Sequence, residues 1–292
     1  MEQNKFHNNF KLNNISFTSV DEILTFAQDF SDEVYQFLQN WFSENDFIIV
    51  NTSGSTGTPK EIQLQKKQMI NSTLATGNYF DLQENTTALL CLPIAFIAGK
   101  MMLVRALTLG WHLDITKANS NPLNALSKEY DFAAMIPLQV ENSIDRIDLI
   151  KKLIVGGGIV SRQLQEKLQF VKTAVYATYG MTETITHIAV KKLNQFKIEP
   201  NFYQTLPNVE VYKDHRNCLV ICAPKVSNEI IFTNDVVDLI SDSEFKWLGR
   251  FDNVINSGGI KLHPEMIEEK LAKVIGHRFF VSAIPDKKLG EK

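Results

Sequence analysis

Apolar positions early in the chain recur at helical spacing. Ile23, Leu24, Phe26, Phe30, Val34, Phe37, Leu38 and Trp41 follow Ser19-Val-Asp-Glu22, which has the form of a capping box. The pattern predicts an amphipathic helix over 20–44, broken near Ser31, with its stripe facing a core rather than a partner. From residue 46, short apolar runs alternate with longer helical patterns. Strands are predicted at 46–52, 61–65, 87–92, 111–115, 132–136, 151–155 and 173–178, and helices at 66–80, 97–109, 121–129, 137–144 and 160–169. Alternation of this kind builds a mostly parallel sheet covered by helices. After 185 the texture changes to strands alone, at 185–191, 207–213, 217–223, 229–233 and 235–241, which predicts a β-rich subdomain beside the sheet. A third texture starts near Arg250: a strand, a Gly-Gly turn, a Pro264-led helix over 264–274 and a strand over 278–284. The expected fold class is α/β, with a large domain over 1–249 and a small α+β domain over 250–292.

Composition narrows the function classes. A chain of 292 residues, 44% apolar and 22% charged, can bury a sizeable core and is neither disordered nor fibrous. Its formal net charge of −3 argues against nucleic acid or an anionic membrane as the main partner. Cys91, Cys218 and Cys222 form no C-x-x-C pair, and no His completes a metal set beside them. Cys91 and Cys218 lie in apolar runs that predict buried thiols, which fits a reducing cytoplasm. The N-terminus lacks an apolar signal core, and the longest apolar stretch, Ala88 to Ala98, is too short to span a bilayer and contains Pro93. A soluble protein without membrane insertion is expected; a homo-oligomer is compatible with the sequence.

The most informative chemistry lies at Thr52-Ser-Gly-Ser-Thr-Gly-Thr-Pro-Lys60. Gly54 and Gly57 let backbone N–H groups turn toward an anion, the hydroxyls of Thr52, Ser53, Ser55, Thr56 and Thr58 add donors, and Lys60 adds a charge. The implied guest is a polyphosphate, although G-x-x-x-x-G-K-[ST] does not fit, because Pro59 stands where the second glycine belongs. A solvated Ser/Thr/Gly loop is the plainer reading. Two further predicted strands end in loops of similar interest, Gly156-Gly-Gly158 and Tyr179-Gly-Met-Thr-Glu183. Ligands of open α/β sheets sit at the carboxyl ends of strands, so the three loops are expected to converge on one crevice.

With Ala177-Thr-Tyr-Gly-Met-Thr-Glu183 the pattern becomes specific. Together with Thr52–Lys60, Thr233-Asn-Asp235 and Gly249-Arg-Phe-Asp252 continuing to Gly258-Gly-Ile-Lys and Pro264-Glu265, it resembles the adenylate-forming superfamily of acyl-CoA synthetases, nonribosomal adenylation domains and luciferases. The resemblance covers roughly 46–292. The compact length and the run Leu92-Pro-Ile-Ala-Phe-Ile-Ala-Gly-Lys-Met-Met-Leu-Val-Arg105 are most similar to the o-succinylbenzoate–CoA ligases of menaquinone biosynthesis. The resemblance implies ATP, Mg²⁺ and CoA: a carboxylate attacks the α-phosphate and releases pyrophosphate, then the CoA thiol displaces AMP. Both steps build charge on crowded oxygens, so positioned donors and a metal should dominate.

By that resemblance, Ser53, Ser55, Thr56, Thr58 and Lys60 would hold the β- and γ-phosphates, within a nucleotide loop running from Thr52 through Gly54 and Gly57. Thr182 would donate to the α-phosphate and Glu183 would hold Mg²⁺. Asp235 would accept from both ribose hydroxyls; Tyr179, after Thr178 and before Gly180, would stack on adenine; Gly156, Gly157 and Gly158 would let base and acyl group approach the backbone. Arg250 would contact ribose or phosphate, Asp252 would be the hinge, and Ser257, Gly258 and Gly259 would line the pantetheine tunnel. Lys60, Thr182, Glu183 and Arg250 are the catalytic candidates. Phe96, Ile97, Gly157, Gly180 and Met181 would shape the acyl pocket. Arg105, alone in an apolar run, would meet either the second carboxylate of the substrate or an internal Asp or Glu. For most of these positions a plainer structural role stands beside the functional one: a solvated loop carboxylate for Glu183, a turn residue for Asp235, a core ring for Tyr179, a simple hairpin turn for Gly258-Gly259.

Several positions depart from the family pattern. Phe96 stands where many relatives carry His, Glu61 where Gly follows the loop Lys, and Asn234 where T-G-D has Gly. The family's late Lys of the small domain has no counterpart before Lys292, so a truncated small domain is expected, with nucleotide and adenylate binding kept but adenylation slowed. Three readings compete: a ligase for o-succinylbenzoate, a ligase for another aryl or acyl carboxylate, and a nucleotide-binding remnant without turnover.

Overall fold

The computed structural model describes residues 5–51, 61–196, 202–277 and 279–292. It has an α/β fold built on a sheet of 13 strands among the described residues. The parallel half runs in spatial order through His112–Ile115, Thr87–Leu90, Tyr130–Met135, Ile150–Val155 and Ala174–Gly180. Its central strands, Thr87–Leu90, Tyr130–Met135 and the end of Ile150–Val155, are buried on both faces, which is why they read as near-continuous apolar runs. Leu153 and Val155 face a cluster with Val140, Ile147, Leu164 and Leu168, whereas Ile154 faces the opposite cluster with Met69, Phe80 and Met101.

The β-rich stretch does not sit beside this sheet; it continues it. His187–Lys192 pairs antiparallel with Ala174–Gly180, and the order proceeds through Tyr203–Thr205, Glu244–Arg250, Ile231–Leu239 and Cys218–Cys222 to Glu210–Lys213. The two strands expected at 229–233 and 235–241 are one, Ile231–Leu239, which absorbs the break as register shifts against both neighbours. Tyr203–Thr205 and Glu244–Arg250 were not anticipated by the pattern.

Two other expectations are corrected. Phe47–Asn51 is a strand, but it pairs antiparallel with Glu61–Gln65 in a separate two-stranded sheet. The loop 52–60, including Lys60, therefore connects a hairpin rather than leaving a parallel strand, and its residues lie outside those described. The hairpin nevertheless packs its second strand on the turn Thr182–Thr184. Residues 121–129 form no helix. Two of their carbonyls are taken by a side chain from elsewhere: Arg146 donates through Nε to Leu123 O at 3.0 Å and through Nη2 to Leu126 O. Such bonds compete with the helical ladder for the same acceptors.

The first helical pattern does break at Ser31. Val20–Phe30 and Asp32–Phe42 are two helices, with Ser19 Oγ accepting from Glu22 N and Ser31 Oγ from Val34 N. A second sheet holds Ile255–Ser257, Ile260–Leu262, Pro285–Asp286 and Gly290–Glu291, beside helix Pro264–Leu271. No strand forms over 279–284, where Phe280 is 81% exposed and lacks the buried partner face that an apolar run needs. Among the described residues no helix is long and apolar enough to cross a membrane.

Candidate active site

The parallel strands Ile150–Val155 and Ala174–Gly180 are neighbours, so the loops after them share one edge of the sheet. Gly156 N donates to Met135 O at 3.1 Å, which ties the glycine loop to the strand Tyr130–Met135, and Thr178 Oγ1 donates to Val155 O at 3.1 Å, which joins the ends of the two strands. A Cβ at Gly156 would stand 2.6 Å from that same Thr178 hydroxyl. Gly157 and Gly158 continue the loop toward Ile136 and Pro137.

Tyr179 and Asp235 meet. The Tyr179 hydroxyl donates to Asp235 Oδ2 at 2.6 Å, and Trp247 Nε1 donates to Oδ1 at 3.1 Å. The Arg250 guanidinium lies 3.7 Å from the same Oδ1, because Asp235 and Arg250 are directly paired across adjacent strands. Thr233 Oγ1 accepts from Asp235 N at 3.0 Å and fixes the backbone below the carboxylate. Burial, then the Asp235 charge, pushes the Tyr179 hydroxyl far above its ordinary range, so it remains a donor at any working pH. Its ring packs edge-on to Phe245 at 5.1 Å and beside Tyr203 at 5.9 Å. Tyr179 therefore anchors Asp235 as well as belonging to the core. Asp235 is only 7% exposed yet has lone pairs left after two hydrogen bonds.

Gly180 leads into a short 3₁₀ turn, Thr182–Thr184. Thr184 Oγ1 accepts from Met181 N at 3.0 Å. Ile185 is buried at φ 66°, ψ −61°, a γ-turn closed by Thr186 N donating to Thr184 O at 2.7 Å. Positive φ in a β-branched residue is strained, and such strain collects at functional sites. The turn presents Glu183 on the exposed side. No group of three or more His, Cys, Asp or Glu side chains among the described residues could cage a metal. A lone accessible carboxylate suits Mg²⁺, which keeps waters and phosphate oxygens as its other ligands.

Behind that turn lies Arg105, on the helix Ile97–Leu109 that Phe96 precedes. Arg105 is 1% exposed, and no described carboxylate pairs with it. Nη2 donates to Thr186 Oγ1 at 3.3 Å and Nη1 reaches Met102 Sδ at 3.7 Å, while Nε has no partner. Burial lowers its pKa to about 10, which still leaves it charged at neutral pH. Phe96 is 53% exposed at the start of the same helix, so its ring is not a core residue.

His187 completes the buried group, with Nδ1 3.1 Å from Thr186 Oγ1 and Nε2 3.4 Å from Thr76 Oγ1. Burial first, and the Arg105 charge second, draw its pKa down to about 3. The unfolded imidazole takes a proton near 6.5 and the folded one does not, so its contribution to stability is full above pH 6.5 and is lost as pH falls toward 3. The loss should reach about 2 kcal/mol at pH 5. Urea denaturation of wild type and His187→Gln at pH 7 and 5 checks this. The wild type should lose about 2 kcal/mol more than the variant; equal losses would show that His187 titrates normally.

Ser257, Gly258 and Gly259 lie elsewhere, in the hairpin that follows the turn Phe251–Asn253. Asp252 Oδ2 accepts from Arg250 Nη2 at 3.1 Å and so touches the edge of the Asp235 group. Gly258 and Gly259, at φ 58° and 85°, form the two-residue turn of the Ile255–Ser257/Ile260–Leu262 hairpin, a conformation that two positive φ values reserve for residues such as glycine. Trp247, Thr186, His187 and Arg216 were missed by sequence reasoning. The alternation Phe245, Trp247, Gly249 was the available signal for the first; nothing local marks the others.

The family model "AMP-binding enzyme" matches residues 11–219. An acyl-CoA synthetase (AMP-forming)/AMP-acid ligase II-like protein from Dyadobacter fermentans is 39% identical, with a TM-score of 0.70 over 89% of this chain and 77% of that one. The o-succinylbenzoate CoA synthetase of Bacillus subtilis, solved with its acyl-adenylate intermediate, has a TM-score of 0.73 at 20% identity, over 94% of this chain and 70% of that one; at that identity the likeness is one of fold. A 2-succinylbenzoate–CoA ligase of Lactococcus lactis is 22% identical over 242 residues, 76% of this chain and 54% of the relative. The chain spans about half the length of the curated relatives it matches.

Proposed function

The chain belongs to the AMP-binding enzyme family, and on that footing we propose that it is an ATP-dependent acid–CoA ligase for an aryl dicarboxylate of the o-succinylbenzoate kind, acting in the cytoplasm in menaquinone biosynthesis. The substrate carboxylate attacks the α-phosphorus of ATP, the bond to the bridging oxygen breaks, and pyrophosphate leaves. The CoA thiolate then attacks the acyl carbon of the mixed anhydride and AMP leaves.

Each residue group has a part in this reading. Asp235 accepts from the ribose diol, held in place by Tyr179 and Trp247, while Arg250 lies beside it for ribose or phosphate. Gly156–Gly158 and Thr178 form the floor on which adenine and the acyl group lie, with Gly180 and Met181 at its rim. Thr182 donates to the α-phosphate. Glu183 is the Mg²⁺ ligand, and the ion when bound would neutralise phosphate charge. The sequence of 52–60 assigns that loop and Lys60 to the β- and γ-phosphates. Phe96 and Ile97 wall the acyl pocket. Residues 1–249 form the large domain and 250–292 the hinge and small domain, with Asp252 as pivot and Ser257–Gly259 serving the thioester step.

One observation carries the choice of acid. Arg105 holds a charge with no described carboxylate to balance it, directly behind the Thr182–Thr184 turn. A guanidinium left unpaired in an apolar interior is costly unless an anion arrives to meet it. A second substrate carboxylate is such an anion. Calorimetry with AMP and a pyrophosphate-release assay test the proposal. AMP should bind, and o-succinylbenzoate should stimulate release at least about tenfold over benzoate, a difference of roughly 1.4 kcal/mol. Absence of AMP binding would refute the nucleotide assignment, and equal stimulation by both acids would refute the dicarboxylate.

A further inference from the structure

Arg216 lies outside every motif named so far, yet its guanidinium makes three contacts of good geometry. Nε donates to Asp214 Oδ2 at 2.8 Å, Nη1 to Asn234 Oδ1 at 2.9 Å, and Nη2 to Thr233 O at 3.0 Å. Its flat face lies 5.3 Å from the centre of the Phe251 ring. Asp214 is itself fixed, since Oδ1 accepts from Arg216 N at 2.8 Å and Cys218 N at 2.9 Å. The fork is thus preorganised and aimed at two segments at once: the strand carrying Asp235, and the turn Phe251–Asn253.

Asn234 carries the contact onward. With Oδ1 fixed by Arg216, its amide nitrogen faces Asp252, 3.3 Å from Oδ2 and 3.4 Å from Oδ1. Asp252 in turn accepts from Arg250, whose other nitrogen lies near Asp235. On the far side Glu265 Oε1 accepts from Arg250 N at 3.3 Å and Asn253 Nδ2 at 2.7 Å. The glycine of T-G-D, which Asn234 replaces, has no side chain and could not make this link.

We propose that Arg216 and Asn234 are positioning residues that clasp the hinge, holding Phe251–Asn253 in the orientation that sets Arg250 against Asp235. The inference rests on reading Asp252 as the pivot of the ligase cycle. The clasp favours the arrangement that contacts the nucleotide, and the Asn234–Asp252 bond breaks when the small domain turns for the second step.

Hydrogen exchange on the full chain tests it. The probe is the Val254 amide, which donates to Phe251 O at 3.2 Å; amides of Ile150–Val155 serve as the control for global folding. Asn234→Ala should speed exchange at Val254 about fivefold, about 1 kcal/mol of lost protection, with the control unchanged. Asn234→Asp should exchange faster than Asn234→Ala, because it sets a carboxylate against Asp252; a role in packing alone would leave the near-isosteric Asp variant like wild type. Arg216→Lys should resemble Arg216→Ala, since one ammonium cannot serve the three partners of the fork. Val254 exchange within twofold of wild type in both Asn234 variants would overturn the clasp, and these two variants decide the matter if Arg216→Ala fails to fold. AMP calorimetry on the wild type separates the two claims: a chain that binds no AMP refutes the ligase reading, while the exchange pattern still decides whether the clasp exists.

Discussion

Arg105→Met is expected to make the protein more stable and a worse enzyme for a dicarboxylate. The side chain is 1% exposed, its Nε lacks a partner, and a neutral hydroxyl and a thioether are the contacts of its terminal nitrogens. Replacing a buried charge by an apolar chain of similar length removes a desolvation cost that no described carboxylate offsets. Precedent for buried ionic groups puts the gain at about 1–4 kcal/mol, enough to raise Tm by several degrees. A substrate carboxylate that met Arg105 would lose charge-assisted hydrogen bonds worth about 1.5–3 kcal/mol, so kcat/KM for o-succinylbenzoate should fall about 100-fold. Benzoate, which cannot reach the guanidinium, should change less than about threefold. Differential scanning calorimetry and paired pyrophosphate-release assays read the two effects. A variant that melts lower and loses both acids equally would make Arg105 a structural residue.

The strands and glycine loops at this edge of the sheet were more legible in the sequence than what surrounds them. Leu153–Val155 is a continuous buried run, and Val175 and Ala177 are the buried positions of an alternating strand, so apolar residues and terminal glycines marked both strands and the loops after them. Asp235 was marked by the triplet it closes. Pairing partners were a different matter. Phe47-Ile-Ile-Val50 is as apolar as the central strands, yet Ile49 is 51% exposed while Ile48 and Val50 are buried, the signature of a strand covered on one side. Its partner is the next strand in the chain, Glu61–Gln65, so the one-sided burial pattern was the available signal that it pairs apart from the large sheet. The missing helix at 121–129 failed for a different reason: its Leu123 and Leu126 have helical spacing, but Arg146, twenty residues on, claims their carbonyls. The Arg105–His187 pair was half legible. A lone Arg in an apolar run stood out, whereas the His that faces it across the fold stood out only in the structure.

Asp235→Ala should separate the ribose role of this carboxylate from its structural one. The substitution strands the Tyr179 hydroxyl and Trp247 Nε1, both donors inside a largely buried group, and releases Arg250 from its neighbour. Each stranded donor costs about 1–3 kcal/mol, moderated where water enters the space. A purely structural Asp would therefore weaken AMP binding only through general loosening. If Asp235 accepts from both ribose hydroxyls, two charge-assisted bonds are lost, and AMP affinity should drop about 100-fold or more. Asp235→Asn is the gentler probe. Its Oδ1 can still accept from Trp247, and the Tyr179 hydroxyl can rotate to accept from the new amide, so stability should stay within about 1 kcal/mol of wild type while AMP binding remains impaired. The ligand supplies the second half of the cycle. In the wild type, 2′-deoxyAMP should bind about tenfold more weakly than AMP, and in Asp235→Ala the two should bind alike, because the partner of the missing hydroxyl is already gone. A deoxy penalty that persists undiminished in the variant would place the ribose elsewhere and remove Asp235 from the site.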